Sequence, residues 1–167
     1  MDDVSGLYRR HCGSRSPTSA SKVTQIKFCE LCATDGGEVL LRTDLLRIVR
    51  VDEPDYPGLC RVIVNSHVRE MTDLEPATLA RVMAAVFAVE DALRTVLDPH
   101  KVNVASLGNL TPHVHWHVIP RFEDDAHFPQ PIWGARQRDT PANVLQSRRD
   151  RLPQLAEEIR ARIARSR

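Results

Sequence analysis

The sequence predicts an α+β fold, with helices packed on one antiparallel five-stranded sheet. Three observations support this prediction. Five short β-like runs alternate with turn signals, as strands do. One long segment repeats apolar residues every three or four positions, which is typical of an amphipathic helix. A shorter repeat of the same kind lies near the C-terminus. Strands joined by short turns, with one long helix between them, favour an antiparallel sheet covered by helices.

The first strands follow a turn at Asp35-Gly36-Gly37. Two β-like runs come next with Thr43-Asp44 between them, which predicts a hairpin. Prolines and a glycine then mark residues 52–58 as a loop. A third strand follows and leads to His67. The predicted strands of this half cover residues 38–42, 45–51 and 60–65.

The long helix is predicted to begin at Thr72-Asp73-Leu74-Glu75-Pro76, where a capping-box pattern precedes a proline suited to the first helical position. Asp98-Pro99 should end it. A final amphipathic helix opened by Pro153 is also predicted. The apolar positions that support the two helices are Leu79, Val82, Met83, Val86, Val89, Leu93, Val96 and Leu97, and then Leu152, Leu155, Ile159 and Ile163.

The remaining strands are predicted at residues 101–106 and 113–121, with a turn at residues 107–112 between them. The second of these strands holds three histidines at alternate positions, His113, His115 and His117. Because side chains alternate across a strand, the three imidazoles should share one face and Val114, Trp116 and Val118 should face the core.

Histidine is the side chain most easily tuned to gain or lose a proton near neutral pH, so a row of three indicates chemistry. The residue types alone leave two interpretations open. The histidines hold a metal directly, or one of them is a nucleophile with two neighbours assisting it.

Composition places the chain among ordinary globular proteins. It has 167 residues, of which 42% are hydrophobic and 27% are charged, and one domain of this size buries a sufficient core. No apolar run approaches the roughly 20 residues of a membrane span. Asp2 and Asp3 precede no apolar stretch, so no secretory signal is expected. We therefore expect a cytoplasmic protein without a membrane partner, in which Cys29-x-x-Cys32 serves metal or redox chemistry rather than a disulfide.

The ordered motifs resemble those of the histidine-triad family of nucleotide hydrolases and transferases. The signature is His113-Val114-His115-Trp116-His117-Val118-Ile119, preceded by Asn103 and Gly108-Asn109. The resemblance extends from about Phe28 to Trp133. It also takes in Cys29-x-x-Cys32, the acidic loop at Asp52, His67 and the His127-Phe128-Pro129 loop.

The resemblance implies that His115 attacks the α-phosphorus of a nucleotide and forms a nucleotidyl-histidine that water hydrolyses. It implies that His117 donates a proton to the leaving group. Asn103 and Asn109 would bind phosphate oxygens, and Asp52 would bind ribose hydroxyls. The chain departs from the family where Asn109 replaces a glutamine and Leu110 replaces a small hydroxyl residue, so the phosphate site is expected to lack a donor. Arg121 is a candidate for phosphate binding or for simple solvent exposure.

The resemblance also extends to a metal. Hexose-phosphate uridylyltransferases and a subset of histidine-triad hydrolases look like this chain, with the first histidine of the motif bound to zinc. Here Cys29, Cys32, His67 and His113 would form a closed site of two sulfur and two nitrogen ligands, which implies structural zinc.

The predicted function is cleavage at the α-phosphorus of a dinucleoside polyphosphate, a nucleoside phosphoramidate or a related conjugate, by a homodimer. Two alternatives remain: a hydrolase with catalytic zinc on the three motif histidines, and a non-catalytic nucleotide sensor. We expect a mobile leader at residues 1–22, a catalytic domain like that of the family at residues 23–135, and a basic segment with an amphipathic helix at residues 136–167. That segment has nine arginines and four acidic residues but no aromatic interleaving, so nucleic acid is not expected as a partner.

Overall fold

The computed structural model describes residues 29–165 of the chain. The expected leader at residues 1–22 and Cys12 therefore lie outside the described residues. Nine helices and strands, apart from a short 3-10 turn at Met71–Asp73, are described here. They are α1 (Glu30–Ala33), β1 (Glu38–Arg42), β2 (Leu46–Arg50), β3 (Cys60–Val64), α2 (Pro76–Leu97), β4 (Lys101–Ala105), β5 (His115–Arg121), α3 (Ala142–Arg149) and α4 (Leu152–Arg165).

The five strands form one antiparallel sheet in the order β1-β2-β3-β5-β4. This confirms the predicted fold class, with one long helix and one C-terminal helix on the sheet. Helices α1 and α3 were not predicted, because four and eight residues show too little apolar periodicity to indicate a helix. No helix within residues 29–165 is both long enough and apolar enough to cross a bilayer.

The start of α2 differs from the prediction in one respect. Pro76 is the first helical residue, as expected, but Glu75 caps the helix without a side-chain hydrogen bond. The capping box belongs instead to the 3-10 turn, where Glu70 and Asp73 bond each other's backbone. The helix ends where Asp98 adopts a left-handed conformation with φ of 49°.

Helices α2 and α4 cover one face of the sheet, and the main hydrophobic core lies between these helices and that face. Val114 and Val118 are buried there and Trp116 packs against the same cluster, which confirms their predicted orientation. The buried residues that the two helices contribute are Val82, Ala85, Val86, Val89, Ala92, Leu93, Val96, Leu97, Leu155, Ile159 and Ile163.

Arginines of the C-terminal segment bind the body of the protein. Arg148 stacks on Phe122, with its guanidinium carbon 3.6 Å from the ring centroid. Arg160 donates to the carbonyl of Leu40, and Arg162 pairs with Asp91. The positive charges of these arginines are therefore engaged in contacts within the fold. The domain boundary between residues 135 and 136 stays a prediction.

The opposite face of the sheet presents the polar side chains. Strand register pairs His117 with Arg61 and His115 with Ile63, and it pairs Asn103 with Ile119. Paired residues in an antiparallel sheet point to the same side. The histidines, Arg61 and Asn103 therefore lie on the face away from α2 and α4.

Candidate active site and metal centre

His115 is held in one tautomer by its own backbone neighbourhood. Its Nδ1 lies 2.6 Å from the carbonyl oxygen of His113. A carbonyl only accepts hydrogen bonds, so Nδ1 carries the proton and Nε2 keeps a free lone pair. Burial lowers the pKa of the ring, the hydrogen bond to His113 opposes this, and the positive charge of Arg61 lowers it further. His115 is thus neutral at pH 7, as a nucleophile must be.

His117 follows on the same face, with its ring centroid 5.0 Å from that of His115. Trp133 covers it edge-on at 5.4 Å, although Trp133 itself is 53% exposed. Burial lowers the pKa of His117 to about 4, with further lowering by the charge of Arg61 and by His115. The ring is therefore neutral at pH 7 before substrate binds, and it offers one N–H rather than a full positive charge.

His113 turns away from this pair and joins a group of metal ligands. Its Nδ1 lies 3.3 Å from the sulfur of Cys29 and 3.5 Å from that of Cys32. Nδ1 of His67 lies 3.3 Å from the Cys32 sulfur, and all four ligand atoms fall within 4.8 Å of one another. Two sulfurs and two nitrogens on tetrahedral zinc would lie about 3.5 Å apart in each sulfur–nitrogen pair, so the spacing fits this metal.

A backbone contact orients His113 for that role. Its Nε2 lies 2.7 Å from the carbonyl oxygen of Val64, so Nε2 carries the proton and Nδ1 is free to bind a metal. Nε2 of His67 is buried and has no protein partner among the described residues. The predicted ligand set Cys29, Cys32, His67 and His113 is thus assembled in space.

The same geometry argues against zinc on the three motif histidines. Nδ1 of His113 faces the cysteines, while Nδ1 of His115 is engaged by a carbonyl. Among residues 29–165, the cluster that can hold a metal contains His113 but neither His115 nor His117.

Asn103 is positioned by a buried ion pair that the sequence analysis did not identify. Arg121, only 2% exposed, donates from Nε to Asp125 at 3.0 Å and from Nη1 to the Asn103 side-chain oxygen at 2.7 Å. Its Nη2 donates to the carbonyl of Gln130. The Asn103 oxygen is therefore occupied, which leaves the amide N–H groups to donate. Arg121 is neither exposed nor free for phosphate. The four-residue spacing of Arg121 and Asp125 in the sequence could have indicated this ion pair.

The other candidate binding residues lie in exposed loops. Asp52 is exposed just after β2, and Asn109 is exposed in the loop between β4 and β5. Leu110 beside it is 99% exposed. The structure thus leaves their assignment to ribose and phosphate as a prediction.

Two cavities lie away from His115 and His117. One of about 660 Å³ borders the β1–β2 turn and α2, and a second of about 370 Å³ borders Cys32, Arg47 and Asn65. Neither is lined by the two histidines.

Comparison with known proteins agrees with the geometry. The family model described as HIT domain matches residues 35–124. The chain is 31% identical over 130 residues to "AP-4-A phosphorylase" of Mycobacterium tuberculosis, which covers 73% of this chain and 66% of that protein. It is 30% identical over 95 residues to "Bis(5'-nucleosyl)-tetraphosphatase [asymmetrical]" of Schizosaccharomyces pombe, which covers 54% of this chain and 52% of that protein.

The chain thus spans just under two thirds of the first of these relatives and about half of the second. Among solved structures, the histidine triad protein of Bradyrhizobium japonicum superposes with a TM-score of 0.62 at 25% identity. That match covers 77% of this chain and 92% of the other.

The electrostatics of the site make a testable prediction about His117. In the protein without substrate, NMR titration of its ring should give a pKa near the low value caused by burial, about 4, rather than the ordinary 6.5. The unfolded chain therefore takes up a proton at this ring at a higher pH than the folded chain does. As a result, the free energy of unfolding falls as the pH drops from 6.5 towards 4. R61M should raise the pKa by removing a positive charge, although burial keeps it below 6.5. A wild-type pKa at 6.5 or above would contradict this electrostatic picture.

Proposed function

The chain belongs to the HIT domain family, and from this premise we propose that it is a nucleotide hydrolase or transferase that cleaves at an α-phosphorus through a covalent intermediate on His115. The observation that carries the proposal is the hydrogen bond from His115 Nδ1 to the carbonyl of His113, because it frees Nε2 of a neutral ring. The names of the two relatives, a phosphorylase and a tetraphosphatase, favour a dinucleoside polyphosphate as substrate.

In the first step His115 Nε2 attacks the α-phosphorus. A nitrogen–phosphorus bond forms and the bond from that phosphorus to the bridging oxygen breaks. The electron pair stays on the leaving phosphate. In the second step water attacks the phosphorus and loses its proton, the nitrogen–phosphorus bond breaks, and nucleoside monophosphate leaves. If inorganic phosphate attacks in place of water, the product is a nucleoside diphosphate and the reaction is a transfer.

His117 lies where it can assist the leaving oxygen. Because its ring is neutral in the free protein, it acts as an N–H donor until substrate charge raises its affinity for a proton. A leaving polyphosphate tolerates this, since its terminal phosphate has a pKa of about 6 and needs no full protonation. A leaving amine needs the proton itself, so a phosphoramidate places a greater demand on His117.

We assign binding roles to three further residues. The oriented amide of Asn103 would donate to oxygens on the α-phosphorus. Asn109 would contribute a second amide from its exposed loop, and Asp52 would accept hydrogen bonds from ribose hydroxyls.

We propose zinc as the metal of the cluster defined by Cys29, Cys32, His67 and His113. Four protein ligands close a tetrahedral site and leave no position for substrate, so the metal would be structural. It would fasten α1 and the segment around it to the sheet beside the site. When bound, zinc supplies a crosslink between these elements, and every catalytic role remains with the side chains of the histidine face.

A homodimer is proposed as the assembly. Its support is the resemblance to the family, which implies contact through the long helix and an edge strand of each subunit. Phe87, which is 58% exposed on α2, agrees with such a contact.

Mass spectrometry of enzyme quenched during turnover of diadenosine tetraphosphate tests the function. We expect an adenylyl adduct on His115, and we expect H115A to abolish the adduct and lower turnover by at least about 10³-fold. The control is H100N, because His100 is exposed and lies outside the site. Turnover by H115A at the wild-type rate would refute the role of His115. An inert wild type that binds AMP in calorimetry would favour the non-catalytic sensor.

The metal has its own test. Purified wild-type protein should contain about one zinc per chain by elemental analysis, and C32S should lose it with a clear fall in thermal midpoint. C60S is the control, because buried Cys60 lies in the core and its substitution should lower stability without loss of metal. Full zinc content in C32S would contradict the ligand set.

A further inference from the structure

Arg61 is a cation on the catalytic face that the mechanism above does not use. It lies on β3, directly opposite His117 in the strand register. Its side chain is half-buried, and burial lowers the pKa of its guanidinium. A charge in this position costs stability unless it is paired.

The pairing of Arg61 is incomplete. Its Nε is buried without any acceptor in the described part of the chain. Among residues 29–165 its one side-chain hydrogen bond is a long contact of 3.4 Å from Nη1 to the carbonyl of Gly36. Glu30 is the acidic residue that acts on its charge, yet no ion pair joins the two among the described residues.

Arg47, on the same face of the neighbouring strand, shows the contrast. It is 3% exposed and donates from Nε to the carbonyl of Asp35, from Nη2 to that of Leu31 and from Nη1 to the side chain of Asn65. Such a guanidinium has a structural role, because its donors are used within the protein. Arg61 has donors without a partner among residues 29–165, and these can bind a ligand.

The position of Arg61 suggests an anion. Its charge acts on His117, the residue paired with it in the strand register, and favours the neutral form of that ring. Until that ring gains a proton, it leaves uncompensated the negative charge that builds up on the leaving phosphate as the bond to phosphorus breaks. The loop that should supply further donors has Asn109 and Leu110 exposed. A planar guanidinium with several N–H groups matches phosphate oxygens.

We propose that Arg61 binds the phosphates beyond the cleaved bond and so selects substrates with a polyphosphate leaving group. The assignment to the leaving side follows from the register, which pairs Arg61 with the residue that faces the leaving oxygen. This inference rests on the proposed function and names its preferred substrate class.

The test compares two substrates that share adenosine and the α-phosphorus. Diadenosine tetraphosphate has phosphates beyond the cleaved bond, and adenosine 5′-phosphoramidate has none. R61M should lower kcat/KM by about 10²-fold for the first substrate and by less than about threefold for the second. R61K should recover part of the lost activity, because it retains the charge without the bidentate geometry.

Binding provides a second measurement that does not depend on turnover. In calorimetry, R61M should weaken binding of inorganic tripolyphosphate by at least about tenfold and that of AMP by less than about threefold. The matched control is R50M, since Arg50 lies on β2 and pairs with Glu38. R61M should keep the wild-type thermal midpoint, because methionine fills the half-buried position and removes an unpaired donor.

The outcomes separate the two claims. If the wild type turns over neither substrate, the proposed function and the role of Arg61 both fail. If the wild type is active and R61M affects both substrates equally, or affects neither, only the role of Arg61 is overturned. Equal losses of tripolyphosphate and AMP binding would overturn it as well.

Discussion

The hydrogen bond from His115 to the carbonyl of His113 is the constraint on which the site depends. It fixes the tautomer of His115, the proposed nucleophile, through a carbonyl group that cannot change its protonation state. The same residue, His113, also donates to the carbonyl of Val64 and turns its other nitrogen towards two cysteines. His113 thus links the cluster of four candidate metal ligands, strand β3 and the His115 ring, so a metal that ordered the cluster would also order this ring.

The two faces of the sheet have different roles, one in stability and one in the candidate site. Helices α2 and α4 bury the apolar face and supply the core, so the other face can tolerate polar groups. On that face, Arg121 forms an ion pair with Asp125 and donates further hydrogen bonds to Asn103 and to the carbonyl of Gln130. Arg61 keeps a donor without a partner among residues 29–165. Arg121 positions an amide and Arg61 is proposed to bind substrate, and this difference follows from their partners rather than from their residue type.

Local patterns in the sequence predicted much of this arrangement. Alternation of histidines with apolar residues predicted which side chains of the histidine strand face the core, and the apolar repeat predicted α2. The spacing of Cys29 and Cys32 indicated a metal. The partners of Arg61 and Arg121 could not be predicted, because they depend on strand register and on loops distant in sequence. The capping box was assigned to the wrong turn. Thr72 and Glu75 match the sequence pattern, but the hydrogen bonds of a capping box are made by Glu70 and Asp73.

The stereochemistry at phosphorus tests the central claim most directly. A dinucleoside polyphosphate made chiral at the α-phosphorus with sulfur and oxygen isotopes reports how many in-line displacements occur. Capture by His115 followed by release to water inverts the phosphorus twice, so we expect net retention of configuration in the nucleoside phosphorothioate product. Net inversion would show a single direct attack by water and would contradict covalent catalysis by His115.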